Sequence, residues 1–182
     1  AAFHNSYYFH KDDNVITNKE EVCGNFEKLI NLQLKEKHPK SWMRAFFNMG
    51  LINYIEGSRR MLPCQAGEMN FFVEPYGDIY PCNGLEKKYW KKSMGNIRET
   101  PNFKEIWEGE QAEQVRQMVR RCPKNCWMVG TASPVMHKYI KYPLKWALKN
   151  KLRSLQGKTA CLDKCWYNVG QDPSQGDLRD VF

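Results

Sequence analysis

Apolar positions recur at helical spacing along two early stretches of the chain. Val22, Phe26, Leu29, Ile30 and Gln33 follow a period near 3.6 and predict a helix over about residues 18–37. Thr17 followed by Glu20 reads as a capping box at its start, and His38-Pro39 as its stop. A second helix opens at Ser41, with Trp42, Ala45, Phe46, Met49, Ile52 and Tyr54 on its apolar face and Gly57 as its C-cap. The pattern then changes. Two β-rich runs within residues 69–82 flank Pro75-Tyr76-Gly77-Asp78 and predict a β-hairpin. Thr100-Pro101 reads as an N-cap with Pro at the first helical position, and Phe103, Ile106 and Trp107 give that short helix its apolar side. A helix over about 110–121 turns Ala112, Val115, Met118 and Val119 inward and delivers Cys122. Pro143 opens a last helix, to about 155, whose stripe is Leu144, Leu148, Leu152 and Leu155. The expectation is that this stripe docks and leaves the lysines of the other faces solvated. The tail from Gly170 to Phe182 is polar and turn-rich.

The aromatic run from Phe3 to His10 reads as a strand, and with the helix after it makes one βα unit. One such unit cannot close a sheet, so a further N-terminal part is expected. The start, Ala1-Ala2-Phe3, carries no initiator Met, basic n-region or apolar h-region and reads as the middle of a longer chain. The 182 residues are 42% hydrophobic, enough for a packed core, and no apolar run has the length of a membrane span.

Net charge is +8. Six basic residues and no acidic ones lie between Lys138 and Arg153, a composition that suits an anionic membrane or a polyanion. The docked helix with a solvated basic side is the preferred reading. No nucleic-acid motif accompanies the charge, so nucleic acid and membrane are both disfavoured as partners.

The chain has seven cysteines, an odd number, without a signal peptide. That excludes the usual secreted disulfide framework and points to a reducing, cytoplasmic setting with metal ligands among the seven. Cys64 and Cys82 bracket the hairpin, which returns its ends to one place. Cys122 and Cys126, with three residues between them in a turn after a helix, converge in the same way. Four thiolates suit an iron–sulfur cubane or tetrahedral zinc. The wide first pair is unlike the two close pairs of a zinc ribbon and favours iron–sulfur. Arg120, Arg121 and Lys124 beside the second pair favour thiolate. Cys161 and Cys165, each pair being followed by Trp, are a rival pair of metal ligands, and Cys23 reads as a packing residue. No residue makes a convincing acid–base catalyst. Asp78 reads as a turn residue, and His4, His10, His38 and His137 are scattered.

Pro63-Cys64-Gln65-Ala66-Gly67, the run Phe72 to Cys82 with its Gly77-x4-Cys82 step, Gly95-Asn96-Ile97, Glu105-Ile106-Trp107 and Cys122 to Trp127 resemble the C-terminal SPASM/twitch auxiliary-cluster domain of radical SAM enzymes. The resemblance implies an α+β chain. Residues 1–60 would be the last βα portion of a partial (β/α)6 barrel, with Tyr7, Tyr8 and His10 facing its cavity. Residues 61–135 would be a small twitch/SPASM domain of a β-hairpin plus helices, and 136–182 a basic helical extension. It implies a [4Fe–4S] auxiliary cluster on Cys64, Cys82, Cys122 and Cys126, used for electron transfer or substrate positioning. The implied partners are an N-terminal radical SAM barrel, a peptide or small-molecule substrate and an electron donor. The alternatives are a stand-alone zinc or iron–sulfur module and a basic nucleic-acid- or peptide-binding protein.

Two departures sharpen the expectation. The full SPASM pattern places a Cys-x2-Cys pair before the late cysteines. Here that stretch is Glu113-Gln114-Val115-Arg116, which fits the one-cluster twitch form. The Cys-x3-Cys-x2-Cys motif of the SAM-cleaving cluster is absent, because Asn168 stands where Cys161-x3-Cys165 would need its third thiol. S-adenosyl-L-methionine therefore belongs to the full-length parent. Anaerobically reconstituted chain, given SAM and a strong reductant, is expected to form no 5′-deoxyadenosine by chromatographic assay.

Overall fold

The computed structural model describes residues 16–82, 92–122 and 124–162. The helices are α1 (Lys19–Lys35), α2 (Pro39–Ile55), α3 (Phe103–Glu108), α4 (Glu110–Arg120), α5 (Val129–Lys138) and α6 (Lys141–Leu155). The strands are β1 (Phe72–Val73), β2 (Asp78–Tyr80) and β3 (Gly95–Asn96). Among the described residues, one unit comprises 16–63 and 124–162, and the other 64–82 and 92–122. The strand expected at 3–10 and the polar tail lie outside the described residues.

The first unit is helical. α2 is its centre and is buried nearly all round in its second half, from Asn48 to Ile55. α1 and α6 pack on it and on each other. Ile30 and Leu34 of α1, Phe46 and Met49 of α2, and Trp146 and Ala147 of α6 share one core, to which α5 adds Ala132 and Val135. The helix starts differ from expectation by small shifts with clear causes. Asn18, not Thr17, caps α1 and accepts from the Glu21 N–H, since Asn outranks Thr as an N-cap. Leu29 is half exposed, and the face runs through Ile30 and Leu34 instead. α2 begins at Pro39, two residues before Ser41, because Pro at N1 lacks only an N–H that would have no helical partner there. Ser58 N–H donates to Asn53 C=O and Gly57 N–H to Tyr54 C=O, which closes α2 in a Schellman cap.

α5 has no counterpart in the sequence reading. Pro134 lies inside it, and an internal Pro argues against a helix from sequence alone.

α6 forms close to where the periodicity places it, but it docks by another face. Pro143, Trp146, Ala147 and Asn150 are its buried residues. The leucine stripe is exposed, from 44% at Leu144 to 72% at Leu155. Trp146 stacks edge-on against Phe46 and donates its indole N–H to the Cys161 carbonyl, 3.2 Å away. Lys151 fixes the helix's rotation. Its ammonium donates to the carbonyls of Leu34 (2.8 Å), Lys35 (3.2 Å) and Glu36 (2.9 Å), which end α1 without helical partners.

The second unit holds a three-stranded antiparallel sheet in the order β1-β2-β3. The hairpin pairs Phe72 with Tyr80 and Val73 with Ile79. Its turn, Glu74 to Gly77, is one residue earlier than the expected Pro75-Tyr76-Gly77-Asp78. Gly77 N–H donates to Glu74 C=O (2.9 Å), and Glu74 N–H to Asp78 C=O (2.8 Å). Gly77, at φ +94°, takes the left-handed position that follows such a turn. Ile79, Met94, Ile106, Ala112, Val115 and Val119 form the core between sheet and helices. Asn102, rather than Thr100, caps α3, accepting from Lys104 N–H at 3.2 Å. Met118 of α4 points outward and is 37% exposed, while Ala112, Val115 and Val119 are buried.

If α6 docks as described, Trp146→Ala costs about 3–5 kcal/mol in urea denaturation. Leu148→Ser on the exposed stripe changes stability by less than about 0.5 kcal/mol.

Candidate metal centre

Cys64, Cys82 and Cys122 are half-buried thiols that pack against one core, that of the sheet-bearing unit. Separate pieces of chain bring them there. Cys64 opens the loop before the hairpin, Cys82 follows β2, and Cys122 follows α4, its N–H donating to Val119 C=O at 3.0 Å.

Gly67 is where these pieces are tied together. Its N–H donates to Asn70 C=O (2.8 Å), and Asn70 donates its side-chain N–H to Pro81 C=O, next to Cys82 (3.1 Å). The loop that carries Cys64 is thereby fastened to the strand end that carries Cys82. Arg116 of α4 donates to Gly67 C=O (2.8 Å) and to Trp107 C=O (2.5 Å), and its guanidinium lies 4.8 Å over the Trp107 ring. The helix that delivers Cys122 is thereby fastened to the same loop. Gly67 sits at φ +78°, and a Cβ there would lie 3.1 Å from Pro81 Cβ, so both backbone angle and space call for glycine.

Cys126 belongs to the helical unit and is held there by its neighbours. Asn125 donates to the carbonyls of Tyr54 (3.3 Å) and Ser58 (3.0 Å). Trp127 is buried, stacks on Phe47 and donates its indole N–H to Phe47 C=O at 2.8 Å. The indole fills the notch left by Gly50, where any Cβ would overlap its ring. Arg60, buried, donates to the carbonyls of Cys126, Leu62 (2.8 Å) and Thr131 (3.0 Å), with its guanidinium 5.3 Å from the Trp127 ring centre. Burial raises the Tyr54 phenol above its ordinary pKa, and the Cys126 charge raises it further. Near Cys82, burial raises Tyr80, with smaller contributions from Glu74 and Asp78.

The remaining candidates divide. The Cys161 backbone is clamped in the helical unit, its N–H donating to Asn150 Oδ1 at 2.6 Å. Cys23 is half-buried against the helical core, in keeping with a packing role. Cys165, His4, His10, Tyr7 and Tyr8 lie outside the described residues. His38 and His137 are exposed. Arg120 does not stand ready for thiolates: it pairs with Glu113 (3.1 Å) and Glu68 (3.5 Å). Among the described residues, no three His, Cys, Asp or Glu side chains are gathered closely enough to hold a single metal ion. The donor chemistry of the sheet-bearing unit nevertheless fits an iron–sulfur cluster, because its three half-buried thiols share one apolar core.

Residues 64–128 match the SPASM family, an iron–sulfur cluster-binding domain. No curated protein and no solved structure matches the chain. The matched segment is thus similar to a SPASM iron–sulfur cluster-binding domain. It begins on Cys64 and contains Cys82, Cys122 and Cys126, while Cys23, Cys161 and Cys165 fall outside it. What sequence reasoning missed are the residues that position the thiols: Arg116, Asn70, Arg60 and Gly50. None has a spacing signal, since each acts on backbone distant in sequence.

Replacing Arg116 by Met removes two hydrogen bonds from a charged donor and is expected to cost about 3 kcal/mol or more by chemical denaturation. Arg116→Lys recovers only part of that, because an ammonium cannot reproduce the planar fork.

Proposed function

We propose that this chain is the auxiliary-cluster part of a radical SAM enzyme and holds one [4Fe–4S] cluster on Cys64, Cys82, Cys122 and Cys126. The observation that carries the reading is the packing of Cys64, Cys82 and Cys122 on one core within the segment that matches the SPASM family. Cys126 completes the set by sequence pattern, four residues after Cys122. When bound, such a cluster would supply a one-electron centre or a charged group beside which substrate is positioned, each of its irons being taken by a thiolate. The protein's part is to hold the thiols. The Gly67–Asn70–Arg116 ties position three of them, and the Arg60–Trp127 anchorage positions the fourth. The half-burial of the thiols limits water around their sulfur atoms and so influences cluster potential.

In this reading residues 1–60 are the last βα portion of a partial barrel. The sulfur chemistry also implies a reducing compartment. The parent acts on a peptide or small molecule, with an electron donor serving the chain.

Anaerobic reconstitution is expected to give a brown protein with about four irons and four sulfides per chain. Cys64→Ala and Cys126→Ala are each expected to lower iron content and bleach the visible absorbance. A colourless chain with stoichiometric zinc would refute the cluster, and full iron in both variants would refute the ligand set.

A further inference from the structure

The exposed face of α6 is both apolar and cationic. Ile140, just before the helix, and Leu144, Leu148, Leu152 and Leu155 are all between 44% and 72% exposed. At 100° per residue these five fall within an arc of about 120°. Lys145 and Lys149 are exposed along the adjoining arc, Lys141 is exposed near the edge of the stripe itself, and no acidic residue occurs between Lys138 and Leu162. The helix does not need this face for its own fold, because it docks through Pro143, Trp146, Ala147 and Asn150.

We propose that this face seats the chain on an anionic lipid surface, with the leucines in the acyl boundary and the lysines among the headgroups. Charge selects this occupant. A second copy meeting face to face would set the same lysine row against itself, an isologous contact of like charges. A nucleic acid would use the lysines but leave five large aliphatic side chains in water. An anionic bilayer satisfies both halves of the face, since in-plane helices combine an apolar stripe with a lysine-rich border. Association would be peripheral, because among the described residues no helix is long and apolar enough to cross a membrane.

Co-sedimentation of the purified chain with vesicles tests this. Phosphatidylcholine vesicles containing about one-third phosphatidylglycerol are expected to carry the chain down, and pure phosphatidylcholine vesicles to leave most of it in solution. Lys141→Glu/Lys145→Glu/Lys149→Glu lowers partition by on the order of a hundredfold, from the attraction that each lysine supplies near such a surface. Leu144→Ser/Leu148→Ser, at positions outside the core, keeps the helical circular dichroism and also loses most vesicle binding. Absence of binding to the anionic vesicles overturns the proposal. So does undiminished binding of the leucine variant, or a dimer in sedimentation velocity that the leucine variant abolishes while vesicles bind nothing. Retention on single-stranded RNA that exceeds vesicle binding and persists in the leucine variant overturns it as well. None of these readouts depends on the cluster, so the proposed function stands or falls separately.

Discussion

The helical unit depends on one close approach: the indole of Trp127 lying against the backbone of α2 at Gly50. No side chain fits at that position of α2. The absence of one admits a large aromatic ring into a densely packed core, where such a ring buries much apolar area. The indole N–H has its partner in Phe47 C=O, so the approach leaves no buried donor unsatisfied. Arg60 lies over the Trp127 ring and binds three backbone carbonyls, among them that of Cys126. A loop without regular structure is thereby given a fixed course, and the thiol next to the indole inherits its position.

The sheet-bearing unit solves the same problem with different parts. Its strands are two or three residues long, too short to fix a site by ladder hydrogen bonds alone. Side chains that bond distant backbone supply the rest. Asn70 joins the Cys64 loop to the strand end before Cys82, and Arg116 joins α4 to the same loop. Both meet around Gly67, whose lack of a Cβ lets Pro81 approach. In each unit a glycine and an arginine hold backbone near a cysteine: Gly50 with Arg60, and Gly67 with Arg116. Guanidinium groups suit this task, because their planar array of donors can satisfy several carbonyls at once.

Much of this architecture was legible in the sequence. The hairpin announced itself through Pro75 and Gly77, and α1, α2 and α4 through their periodicity. These signals are local: a turn residue has to meet its own backbone angles, and an amphipathic helix carries its pattern along a single segment. The candidate site was legible only as far as the cysteines mark it, because thiols clustered in a chain of this kind point to metal ligation. The fasteners were not legible. Arg116 in α4 looks like any surface arginine, and only the fold shows that it reaches Gly67, 49 positions away. β3 is two residues long and includes a glycine, so no strand pattern could reveal it. α5 was concealed by Pro134, a residue whose local preference is overruled by the burial of Thr131, Ala132, Val135 and Met136.

The last helix shows where periodicity gives two answers. Positions 144, 148, 152 and 155 repeat at helical spacing, but so do 143, 146, 147 and 150. Taken together, four leucines outscore the set Pro, Trp, Ala and Asn, so pattern alone selects the wrong face. Polar groups reverse the choice. Fully buried Asn150 accepts from Cys161 N–H and donates to the Trp146 carbonyl, so its burial leaves the amide satisfied. Lys151 finds three carbonyls at the end of α1 only when α6 is turned this way. A docked leucine face would forfeit those bonds and leave Asn150 competing with water. The specific partners of two polar side chains thus decide an orientation that hydrophobicity alone assigns incorrectly, and the leucines that remain outside become a surface whose chemistry calls for its own occupant.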